Sequence, residues 1–175
     1  MRPYILAFAL AAAITPASAQ STAEETGVNS ALGIPPETVD FVRMAAQSDM
    51  FEIESSKLAV ERAQGPVKAF AEKMVQDHQK TSAELKQLLQ NAKLDIELPT
   101  ALSEDHQEAL QELGKLQGAE FSEDYVDKQV DAHEDAVDLF KRYGEEGSNA
   151  DLKTWAAATA PHLQQHLDMA RDLDE

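Results

Sequence analysis

The chain has 175 residues, one domain's worth of length, and 32 acidic against 15 basic side chains give it a formal net charge of −17. That balance argues against nucleic acid and anionic membrane surfaces as partners, because both need basic patches. There is no cysteine, so thiol chemistry and disulfides are excluded and stability must come from packing, which a chain of this size can supply.

Arg2 opens an N-terminus in which an apolar run from Tyr4 to Ile14 precedes Ala17-Ser18-Ala19, a small-x-small cleavage pattern. Residues 1–19 are expected to be a signal peptide that exports the chain to the periplasm. Its removal takes away Arg2, the single charge before residue 20, and makes the mature chain one unit more negative. The apolar run is shorter than the ~20 residues of a membrane span, and no later segment is apolar enough to cross a membrane. Residues 20–34 are polar, small and without period, and read as a flexible lead-in to a domain over 35–175.

Pro35-Pro36 starts the first helix, which runs to about Gln64 with Phe41, Met44, Ala45, Ser48, Phe51, Glu52, Ser55, Leu58 and Ala59 on one face. Gly65-Pro66 ends it and begins the next, a connection so short that helices one and two must be antiparallel. Helix two reaches about Asn91 and carries Val67, Phe70, Met74, Thr81, Leu85 and Leu88 as its stripe, with His78 where the register asks for an apolar residue and Asp77 before it. A loop over 93–101 contains Pro99. Ser103 caps a short helix from Glu104 to Leu116, which Gly118 terminates. Helix three spans about Ser122–Glu145 with the stripe Val126, Val130, His133, Val137 and Phe140. Helix four spans about Asp151–Leu173 with Leu152, Trp155, Ala156, Thr159, Leu163, His166 and Ala170, and Pro161 should kink or break it. The result is all-α: an antiparallel four-helix bundle with one short extra helix between helices two and three.

Four polar residues on these stripes, each from a different long helix, form the candidate site: Glu52, His78, His133 and His166. Imidazole and carboxylate together suit a single divalent ion such as Zn, Mn or Fe, and Asp77, Asp131 or Glu134 could orient the rings from behind. His162, one turn before His166, could join the same face, whereas His106 should be exposed. Two other readings stand beside the metal: buried histidines satisfied by acids with no ion bound, and stripes so misphased that some of these groups face water. No glycine-rich loop follows a strand, no serine sits in a nucleophile elbow, and His162-Leu163-Gln164-Gln165-His166 lacks the glutamate of a zinc-protease helix. No catalytic residue is assigned.

The segments FVRMAAQSDMFEIESSKLA (41–59), VKAFAEKMVQDH (67–78), Leu98-Pro99, DAHEDAVDLF (131–140) and APHLQQHLDMA (160–170), in that order, resemble the domain-of-unknown-function family forty-one forty-two. Its members are exported ferritin-like bundles often labelled outer membrane proteins, and the likeness runs from Phe41 to Leu173. The resemblance implies a periplasmic, ferritin-like four-helix fold with no established activity. The family's acid on the first helix, its Asp-His, and its two later histidines fall on Glu52 (with Glu54 nearby), Asp77-His78, His133 and His166. The outer-membrane label has no support in a chain without barrel-like alternating strands or a lipid-attachment cysteine. Di-iron members of the ferritin-like class use Glu-x-x-His on two helices. Here Val75, Val130 and Leu163 stand three residues before the histidines, so di-iron oxidase chemistry is not expected. The expected function is non-enzymatic metal binding, in metal handling or envelope stress. The alternative is a structural or protein-interaction module with metal-free buried histidines.

Overall fold

The computed structural model describes Glu24 and residues 26–174, and every regular element among them is a helix. These are α1 (Val28–Ala31), α2 (Thr38–Arg62), α3 (Gly65–Asn91), α4 (Glu104–Leu113), α5 (Gly118–Glu146) and α6 (Ala150–Asp174). None of them is long and apolar enough to cross a membrane. The expected signal peptide, residues 1–19, lies outside the described residues.

Local chemistry sets most boundaries. Gly65 takes a left-handed φ of +59° that lets α2 and α3 meet across Ala63 and Gln64, and Pro66 sits in the first turn of α3, where its missing N–H is harmless. Ser103 Oγ accepts the His106 N–H to cap α4, and Asn149 Oδ1 accepts the Leu152 N–H at the start of α6. Two boundaries differ from the expectation. The short helix stops at Leu113, before Gly114. Gly118 does not terminate anything: at φ +62° it turns the chain into α5, a turn earlier than Ser122, and the added turn buries Phe121 completely.

Pro161, expected to kink or break the last helix, does not break it: α6 runs as one helix from Ala150 to Asp174. The lost hydrogen bond would have gone to the carbonyl of Ala157. At that residue α5 and α6 approach so closely that a Cβ on Gly144 would lie 2.8 Å from the Ala157 nitrogen.

The long helices form two hairpins, α2 with α3 and α5 with α6, each packed along its length. The hairpins meet through α2 against α5 and, more sparsely, α3 against α6; α4 leans on α2 and α5. Two apolar clusters fill the interior. One gathers Phe41, Leu85, Leu89, Phe140, Tyr143, Leu152 and Leu163; the other gathers Phe70, Met74, Leu113, Phe121, Tyr125 and Ala170. Along α2, α3 and α5, a buried polar layer containing Glu52, His78, Gln129 and His133 falls between them.

The described residues of the stretch read as a flexible lead-in, Glu24 and 26–34, are tied to α5. Arg142, nearly buried, donates to Glu24 Oε1 (2.8 Å), to the Ile34 carbonyl (2.6 Å) and to Asp138 (2.8 Å), while Ser30 Oγ donates to Asp138. One turn of helix is too short to leave a periodic signal, so nothing in the pattern of residues 20–34 announced it.

Candidate metal centre

His78 enters the interior from α3, His133 from α5 and His166 from α6, because each lies on the apolar stripe of its helix. One ring nitrogen from each lies within 4.8 Å of the other two. The ring centroids form a nearly equilateral triangle of 5.5, 5.5 and 5.4 Å. All three rings are buried.

Each ring bonds an oxygen acceptor through one of its nitrogens. His78 Nδ1 bonds Asp49 Oδ1 at 2.8 Å, His133 Nδ1 bonds the Gln129 carbonyl at 2.8 Å, and His166 Nε2 bonds Asp77 Oδ2 at 2.9 Å. A carbonyl can only accept and an ionised carboxylate only accepts, so in the neutral ring the proton sits on the bonded nitrogen. The remaining atoms, His78 Nε2, His133 Nε2 and His166 Nδ1, then carry lone pairs, and each is buried without a hydrogen-bond partner among the described residues. This is the arrangement in which histidine ligates metal, with an acceptor behind each ring fixing its tautomer and orientation.

Glu52, from α2, stands beside the triangle rather than within it. Its Oε1 is 3.7 Å from His133 Nδ1, the nitrogen already bonded to Gln129. Both its oxygens are buried and neither has a geometrically good hydrogen bond. Burial pushes its carboxyl up to about 7, against the lowering pull of His78 and the Gln129 amide. Burial depresses His133 to about 3 and His166 to about 4, and the His78 charge adds to both effects. Burial acts downward on His78 too, but its bond to Asp49 and the charges of Glu52, Asp49 and Asp77 outweigh it and raise the ring. Two imidazoles are therefore held neutral, while His78 and the Glu52 carboxyl are both pushed toward their protonated forms.

The sequence-predicted ligand set is thus brought together as three histidines with the glutamate alongside. Of the three acids expected behind the rings, only Asp77 bonds one; Asp131 and Glu134 are exposed, and Glu134 pairs with Arg171. His162 is exposed and does not join His166. His106 is half-buried rather than exposed, its ring stacked on Phe51 at 4.7 Å, and it takes no part in the triad.

Asp49 was missed. It lies four residues after Ala45 and three before Glu52, on the same buried face, and it accepts from His78, Thr81 and Ser82. That ladder was visible in the spacing, but a charged residue on an inward face reads as a break in the stripe. The Gln129 carbonyl, a backbone atom, had no side-chain signal at all.

An imidazole nitrogen sits ~2.0–2.1 Å from a bound zinc ion, so a cluster of this span closes on a first-row ion by small ring movements. Three imidazoles with a buried carboxylate beside them match the donor preference of Zn, Mn or Fe rather than of a soft, thiolate-seeking ion. The family model described as Domain of unknown function (DUF4142) matches residues 21–173. No curated protein and no solved structure gives a significant match.

Proposed function

The chain belongs to the DUF4142 family, and we propose that it is a metal-binding bundle that holds one divalent first-row ion on His78, His133 and His166, with Glu52 as the neighbouring anionic donor. The carrying observation is the convergence of three acceptor-backed imidazoles whose other nitrogens are buried without partners. Leaving a buried polar atom unpaired costs about 1–3 kcal/mol, and here three nitrogens and both Glu52 oxygens are in that position. An ion would satisfy them at once and offset the two depressed imidazoles, which bind it in the neutral form they already hold. When bound, it would supply a Lewis-acidic charge sealed from solvent; the residues around it orient the ligands and exclude water.

The signal-peptide pattern and the four long helices support a ferritin-like bundle working in the periplasm, in metal handling or the response to envelope stress. The alternative, a structural module whose histidines lock the register without metal, leaves the unpaired atoms unexplained.

Metal content by mass spectrometry on tag-free protein from the periplasm tests the reading, beside a His78→Ala/His133→Ala variant. Near-stoichiometric metal that disappears in the variant is expected. Protein that stays empty after challenge with Zn, Mn and Fe salts would overturn the reading.

A further inference from the structure

An ion on the triad is out of reach of solvent: the side chains of Glu52, His78 and His133 are at most 2% exposed, and that of His166 is 6%. Two surface grooves, one at Gly144, Ala157 and Pro161 and another at Pro66, Phe70 and Met169, include no residue of the site. A route to the triad must open within the bundle.

Two observations single out the α3–α6 seam. It is the most sparsely packed of the four seams between long helices, and two side-chain hydrogen bonds span it: Asp77 to His166, and Trp155 Nε1–H to Glu84 at 3.2 Å. Asp77 also links the triad to water. Its side chain is 34% exposed, and the same Oδ2 that bonds His166 lies 2.6 Å from Lys73 Nζ. The other ring-backing carboxylate, Asp49, is nearly buried and already accepts from His78, Thr81 and Ser82.

We propose that the divalent ion enters and leaves through the α3–α6 seam, captured first by Asp77, with Lys73 withholding that carboxylate until the ion displaces it. The proposal rests on the metal reading of the triad. A carboxylate oxygen suits the same borderline ions that imidazole does, so an ion on Asp77 passes to His166 once the ring gives up its Nε2–H bond to Asp77 and turns its Nδ1 lone pair toward the ion. Lys73 is 45% exposed, and an exposed pair four residues apart on a helix is weak enough to be broken by an arriving cation. The same ammonium repels the ion electrostatically.

The test is stopped-flow uptake of Co²⁺ by metal-free full-length protein, followed by cobalt absorbance and by the fluorescence of Trp155, the sole tryptophan and itself on the seam. Lys73→Gln should raise the uptake rate about threefold at low ionic strength, the gain shrinking as salt screens it. Asp77→Ala should lower it about tenfold. Lys57→Gln, the same charge change on α2, should leave it unaltered. Wild-type protein that binds one equivalent, with uptake unchanged in both Lys73→Gln and Asp77→Ala, would overturn the route while leaving the metal site standing. So would an Asp77→Ala variant that takes up cobalt normally and only releases it faster, since Asp77 would then merely position His166. Wild-type protein that binds no cobalt would instead remove the metal reading and the route with it. Lys73→Gln is a surface change, so the test survives if Asp77→Ala does not fold.

Discussion

Asp49 orients the histidine cluster without being one of its three rings. Its bonds from His78, Thr81 and Ser82 leave its charge satisfied in the interior and hold the His78 proton on Nδ1. Asp49→Asn keeps the shape but weakens the acceptor, and an amide can present N–H to the ring and reverse its tautomer. Metal affinity should fall about 10–100-fold, read by chelator competition, while the helical circular dichroism holds. Titration of the metal-free protein follows from the same cluster. Below about pH 6.5 the unfolded chain protonates His133 and His166, which the fold keeps neutral down to about 3 and 4. The fold, in turn, keeps a proton on Glu52 up to about 7 and on the raised His78. Near pH 5.5 the unfolded state therefore binds about one proton more, and stability drops as pH falls, by about 1.4 kcal/mol per unit. As the unfolded histidines lose their protons with rising pH, the folded state, which still holds protons on Glu52 and on the raised His78, becomes the better proton binder and the sign reverses. A stability maximum between about pH 5.5 and 7 in urea unfolding of metal-free protein is the expected result. A flat profile from pH 5 to 8 would show that these groups are not buried as described.

At the scale of elements, the hairpin of α5 and α6 depends on one absence of a side chain. A methyl group on Gly144 would meet the Ala157 nitrogen at 2.8 Å and its Cα at 2.9 Å, and backbone cannot rotate out of the way. Gly144→Ala should cost about 1–3 kcal/mol in denaturant unfolding, as overpacking does, and should weaken metal binding too, since His133 and His166 ride on the two helices being forced apart. Arg142 serves a different element. Arg142→Ala removes the donor to Glu24, Asp138 and Ile34. The N-terminal strap can then leave for water, so proteolysis and amide exchange over residues 26–36 should rise while the exchange of α2–α6 stays unchanged. The helices and the three histidines were legible in the sequence because a 3.6-residue stripe of Val, Leu and Phe brackets each one. The Arg142 clamp was not, since its N-terminal partners Glu24 and Ile34 lie more than 100 residues away in the chain, and neither was the unbroken helix through Pro161. His162 misled because four-residue spacing to His166 is compatible with one face, yet the buried stripe there runs through Thr159, Ala160 and Leu163 and turns His162 outward.

The whole molecule divides at the level of the site. Glu52 and His78 belong to the first hairpin, His133 and His166 to the second, and the sparse α3–α6 seam lies between them. On the metal-binding proposal, an ion on the triad would cross-link the two halves, standing in for the disulfides that a cysteine-free chain cannot form. Because the unfolded chain does not assemble the three rings, binding energy converts directly into folding stability. With free ion at about 100 times the dissociation constant, the gain is about 2.7 kcal/mol. For a domain of this size each kcal/mol moves the melting temperature by about 2–4 °C, so saturation should raise it by roughly 5–10 °C. The gain should grow with metal concentration, disappear with a chelator, and be absent from His133→Ala at every concentration. If His133→Ala melts higher in metal by the same amount, the ion is acting on the acidic surface, and the triad is not what joins the hairpins.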